Sequence, residues 1–127
     1  MEKEGFAHYA GLKGTRELIE AFDAASALVH FPLEEAFGLV AAEGLARNLK
    51  VFGARLGGLM DITDGVPEAE LFAADDWRGL TLAIATWMRR GFPRAPGAAQ
   101  SIRARYHPSV IARRHVEIYH EVLGHLA

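Results

Sequence analysis

Short apolar runs alternating with helical patterns over the first ninety residues constrain this 127-residue chain more than any other feature. The runs cover residues 6–10, 27–31, 50–54 and 69–73. Parallel strands buried on both faces read as such continuous runs rather than as clean alternation. Between and after them the spacing is helical. Thr15 is placed as N-cap for a helix over 16–25, with Leu18, Ile19 and Phe22 on one face. Residues 38–48 are rich in Ala and Leu, and Asp75 or Asp76 can cap a helix over 77–90 whose apolar face holds Leu80, Ile84, Trp87 and Met88. A Pro/Gly break over 91–97 is followed by helix over 98–105. A last helix runs from His107-Pro108-Ser109 to about Leu123, with Val110, Ile111, Val116, Ile118, Tyr119 and Leu123 as core candidates. Strand–helix alternation that ends in helices predicts an α/β sandwich with a mostly parallel sheet.

The length fits one domain, residues 1–127, with a real core but hardly two. The break near residue 93 is therefore a loop within that domain, because the thirty or so residues after it are too few for a core of their own. A composition of 50% apolar and 24% charged residues is ordinary for a globular protein. A net charge of -2 gives no reason to expect nucleic acid or an anionic membrane as partner. With no cysteine, disulfide frameworks and thiolate metal sites are excluded. No apolar run approaches the roughly 20 residues that span a bilayer, and Met1-Glu2-Lys3-Glu4-Gly5 is charged where a signal peptide needs an apolar core. The expectation is a cytoplasmic domain.

Chemistry concentrates in Pro32-Leu33-Glu34-Glu35-Ala36-Phe37-Gly38-Leu39-Val40-Ala41-Ala42-Glu43, between an expected strand and an expected helix. The first N–H groups of a helix lack intrahelical partners and carry about half a positive charge. A pyrophosphate there would meet the backbone of Phe37, Gly38, Leu39 and Val40, and Gly38 has no side chain to block it. Glu43, further into the helix, is in reach of a ribose, whose adjacent hydroxyls a carboxylate accepts. Glu35 would sit nearer a reacting sugar. Alone, each carboxylate reads as a solvated residue. Together, around Phe-Gly-Leu-Val, they read as a ligand cradle.

Other groups are weaker. His107, His115, His120 and His125 crowd the C-terminal region, but His115 and His120 are five apart, off the spacing that two zinc ligands on one helix need. They read as surface histidines. Arg103, Arg105, Arg113 and Arg114 read as a solvated basic face, and Trp77 and Trp87 as core or interface anchors. No Ser/His/Asp signature or Walker-type phosphate loop is present.

The spacing Glu35-x7-Glu43 around Phe37-Gly38-Leu39-Val40 resembles the E-x7-E element of retaining nucleotide-sugar glycosyltransferases of the GT-B fold, most closely their group 1, or family 4. The resemblance extends to Gly53-Ala54-Arg55-Leu56-Gly57-Gly58-Leu59-Met60-Asp61-Ile62, similar to that family's strand, loop and Gly-Gly turn. Asp64-Gly65, Asp75 and the terminal helix with Tyr119 continue it, and His8–Leu12 with Ala27–His30 are similar to the two strands before the motif. It thus covers nearly the whole chain.

The resemblance implies a Rossmann-like three-layer αβα sandwich, part of a C-terminal donor-binding domain, that takes a nucleotide diphosphate sugar as substrate for hexosyl transfer with retention. Phe37, Gly38, Leu39 and Val40 would contact the diphosphate, Glu43 the ribose, and Glu35, the catalytic candidate, the transferred sugar. Gly57 and Gly58 would turn close to the donor. No cofactor and no essential metal are implied, since positive charge stabilises the leaving diphosphate. The inner face of the membrane is a location the resemblance also allows.

There are departures. Ala36 stands where glycine is usual, Phe31-Pro32 replaces a Pro-Ser pair, and Lys50 replaces a common proline. The Arg/Lys loop that grips the diphosphate, the first two βα units and the N-terminal acceptor domain have no counterpart, and Lys13, Arg16 and Arg55 do not match that loop's motif. An isolated chain is expected to be inactive. With those strands missing, the run near His8 is expected to slide beside the Val29 strand, or two chains to pair across open sheet edges as a homo-oligomer. Two other readings stand beside this one: a non-catalytic Rossmann-like protein-interaction module, and a fragment of a GT-B-like sugar-nucleotide epimerase.

Overall fold

The computed structural model describes residues 5–126, so the charged stretch Met1–Glu4 lies outside the described residues. The elements run α1 (Thr15–Ala24), β1 (Ala27–His30), α2 (Leu39–Ala46), β2 (Lys50–Ala54), α3 (Gly58–Thr63), β3 (Ala69–Phe72), α4 (Trp77–Arg89), α5 (Ala98–Tyr106) and α6 (Pro108–His125). The strands form one parallel sheet in the order β1-β2-β3, with Leu28 opposite Val51 and Phe52 opposite Glu70. Every residue of the central strand β2 is buried, as its continuous apolar run requires.

Successive side chains of a strand point to opposite faces, and the two halves of the fold follow from that. Val51 joins Ala41 and Leu45 of α2, Leu59 and Ile62 of α3 and Ile102 of α5 in the main core. Phe52 points the other way and meets Trp87 of α4 edge-on, with ring centroids 5.7 Å apart, while Leu80 of α4 is buried too. The protein is therefore a small Rossmann-like α/β fold, a three-stranded parallel sheet with helices on both sides. Truncating Phe52 to alanine would cost about 3–5 kcal/mol at a site of this kind.

Two devices tie the elements together, one within the sheet and one between helix ends. Lys50 is buried at the start of β2, where Nζ lies 5.0 Å from the Phe52 ring and donates to Glu70 Oε1 at 2.6 Å. Arg94, in the loop before α5, donates to the carbonyls of Phe22, Asp23 and Ala25 at the end of α1 and to that of Arg47 at the end of α2. The last carbonyls of a helix lack intrahelical donors and sit at the negative end of its dipole, so one guanidinium stabilises both termini. Asn48 holds the same loop, its backbone carbonyl accepting from Ala95 N–H at 2.8 Å and its side-chain Oδ1 from Ala99 N–H at 3.0 Å.

Several expectations need correction. Residues 6–10 form no strand. Phe6 and Tyr9 are 74% and 78% exposed, and the segment is not part of the sheet. An aromatic run becomes a strand only where an edge pairs with it, and among the described residues this one neither slides beside β1 nor pairs elsewhere, which overturns the expectation of a strand moved beside β1. Thr15 is not the cap of α1; Gly14 is, its N–H donating to Glu17 Oε2 at 2.9 Å. α3 has no signature in the sequence, because six residues opening on Gly58 carry no legible periodicity. The apolar stripe of α6 is not core: α6 has no buried residue, and Val116, Ile118, Tyr119 and Leu123 are exposed. Met88 is exposed on α4, and Trp77 stacks on Phe31 at 5.2 Å while remaining largely in solvent.

Candidate functional site

β1 ends at His30, and the chain then crosses from the carboxyl end of the sheet to α2 through residues 31–38. Glu35 organises that crossing. Its Oε2 accepts from His30 Nε2 at 2.8 Å and its Oε1 from the Gly38 N–H at 2.9 Å. The His30 imidazole, and after it the Gly38 N–H, hold the Glu35 carboxyl below the usual carboxylate range. Gly38 caps α2 in the left-handed region, φ 92°, where a side chain would be strained.

The loop rests on two more glycines. A Cβ on Gly57 would stand 1.8 Å from the Glu35 carbonyl oxygen, and one on Gly58 would stand 2.3 Å from that of Phe37. Only glycine allows this approach, and Gly57 is also at φ 50°. The Phe37 ring packs edge-on against Tyr106 of α5, at 5.9 Å. Arg105 donates to the carbonyls of Asp61 and Ile62 in α3, so it departs from the expected solvated basic face.

The structure thus brings Glu35, Phe37, Gly38, Gly57 and Gly58 together at the carboxyl ends of β1 and β2. Among the amides expected to face a diphosphate, that of Gly38 is engaged by Glu35 itself. Leu39 is exposed at the start of α2, and Val40 is half-buried. Glu43 is exposed and borders a different cavity, about 210 Å³, between α1 and α2, with Leu18, Ile19, Phe22 and Arg47 also on its wall. Lys13 and Arg16 lie exposed near and on α1; Arg55 donates to the Leu71 carbonyl.

Two contributors escaped the sequence reading. His30 was legible only as a strand residue, although its place five before Glu35 is the available signal. Tyr106 had no signal, since its contact with Phe37 depends on how α5 crosses α2. At the opposite end of the sheet, a cavity of about 460 Å³ is bordered by Lys50, Glu70, Trp87 and Arg90. Its charges are of both signs, and Lys50 is already paired with Glu70.

Among the described residues, no cluster of three or more His, Asp or Glu side chains could hold a metal ion, and no helix is long and apolar enough to cross a membrane. Compared with protein-family models, curated proteins and solved structures, the chain matches none.

Proposed function

We propose that the turn from Glu35 to Glu43 is the donor cradle of a retaining glycosyltransferase of the GT-B type, binding the diphosphate and sugar of a nucleotide sugar. The observation that carries this reading is the close approach of Gly57 and Gly58 to the Glu35 and Phe37 carbonyls. Two glycines without room for a methyl group set the loop with its carboxylate at the carboxyl ends of two parallel strands. In open α/β sheets that is where ligands bind. His30 orients Glu35 toward its partners, and the cavity beside Glu43 offers Leu18, Ile19 and Phe22 as apolar surface for a base.

Binding by this chain alone would be weak, and turnover would need the acceptor lobe and the basic loop that the resemblance calls for. Calorimetry with nucleoside diphosphates tests the reading. Loss of the charge-assisted bonds from Glu43 to ribose hydroxyls should weaken binding about tenfold in Glu43→Ala. Equal affinity for both proteins would count against it. The exposed apolar side chains of α6 favour a second reading, a protein-interaction module, which predicts no nucleotide binding at all.

A further inference from the structure

α6 is the longest helix of the fold and buries nothing fully. Val110 and Ile111, in its first turns, are half-buried, whereas Val116, Ile118, Tyr119, Val122 and Leu123 are each more than half exposed. Ile111, His115, Ile118 and Val122 follow one another at spacings of four, three and four, which aligns them along one side of the helix. His115 is less polar there than its type suggests. Nδ1 lies 2.8 Å from the Ile111 carbonyl, so it donates to its own helix, and the ring packs on Tyr119 at 6.2 Å.

We propose that α6 pairs antiparallel with α6 of a second copy of this chain. The charges beside the seam select that occupant. Arg114 and Glu121 are seven residues apart, so they lie on the same flank, one heptad from each other. With Ile111 against the partner's Val122 and His115 against the partner's Ile118, an antiparallel pair sets Arg114 beside the partner's Glu121. The twofold axis repeats that ion pair with the roles exchanged. On the other flank Ala112 meets the partner's Tyr119, small against large. Parallel pairing would put Arg114 beside an aromatic residue and match no charges. Both groups are exposed, and among the described residues neither belongs to an ion pair within the chain, although Arg114 borders a groove with Asp61 and Asp64. A helix carrying its own complement, in the register that also sets Ile111 against Val122 and His115 against Ile118, fits a copy of itself better than an unrelated partner.

Two helices of this length bury less than the roughly 800 Å² per partner of a standard interface, so a dissociation constant of about 10–100 μM is expected. Sedimentation equilibrium on the full chain and its variants tests this. R114E and E121R should each weaken the dimer about tenfold and the double exchange should restore it to within about threefold, because only the double variant recovers both ion pairs. Ile118→Asp should give monomer with unchanged circular dichroism, and a melting temperature that matches wild type at concentrations of about 1 μM, where wild type is also monomeric, since Ile118 is half exposed in the single chain. A protein still monomeric at about 500 μM would overturn the proposal. So would a dimer indifferent to R114E and E121R, which would place assembly elsewhere, for instance at the β1 edge. A double exchange no tighter than either single variant would overturn the register, and with it the proposal.

Discussion

Gly57 lies so close to Glu35 that the methyl group of an alanine would stand 1.8 Å from the Glu35 carbonyl oxygen. The loop carrying the carboxylate and the turn opening α3 therefore act as one unit. A change in either moves the other.

Gly57→Ala should accordingly destabilise the protein by about 3 kcal/mol or more, combining a backbone clash with a left-handed φ. Urea unfolding reads the loss. Amide spectra should change at Glu35 and Gly38 as well as around residue 57. A neutral substitution would mean the loop has room that the geometry denies it.

Glu35 makes stability depend on acid. Its folded pKa is held down by His30 and the Gly38 N–H, below the value near 4.3 expected when unfolded. Its contribution is therefore complete above the unfolded value and lost as pH falls through the folded one. Glu35→Gln should be less stable than wild type at pH 7, and that gap should narrow as pH falls below the unfolded value and through the lower folded one. Thermal melts of both proteins at several pH values check it. A gap that widens below the unfolded carboxylate value near 4.3 would contradict the His30–Glu35–Gly38 arrangement.

Arg94→Ala should strip donors from the carboxyl ends of both α1 and α2, at about 2 kcal/mol. α1 has only Phe22 fully buried, so it should lose protection first. Hydrogen exchange should rise in residues 18–25 well before it rises in β2.

The segment before α1 is predicted to be inert. Phe6→Ser with Leu12→Ser changes side chains that are 74% and 100% exposed, so the double variant should unfold within about 0.5 kcal/mol of wild type. A larger loss would revive a packed strand at residues 6–10.

These differences show which parts of the fold were legible. β2 was, because a continuous apolar run bounded by turn residues fits a buried strand. The cap of α4 was legible to within one residue, since Asp75 and Asp76 both have N-cap chemistry, and the side chain of Asp76 is the one that accepts from Gly79 N–H. The run at residues 6–10 misled because strand character becomes a strand only with a partner edge, which local sequence does not encode. α6 misled for a related reason: an apolar stripe says that a face wants cover, not that the same chain supplies it. Within the site, Glu35 and Gly38 stood out by residue type and spacing, and Gly57 and Gly58 only through the resemblance. Their joining by His30, and the engagement of the Gly38 amide by Glu35, depend on side-chain directions that spacing does not reveal.

The central claim is that the Glu35–Glu43 turn holds a diphosphate and a ribose. Backbone amide NMR tests it most directly, with wild type and Glu43→Ala titrated with a panel of nucleoside diphosphates to about 5 mM. The account predicts saturable shifts at Phe37, Gly38, Leu39, Val40 and Glu43 for at least one of them, the Gly38 amide moving as its bond to Glu35 is exchanged for phosphate, and much weaker shifts in the variant. No movement of those amides with any nucleotide would contradict it.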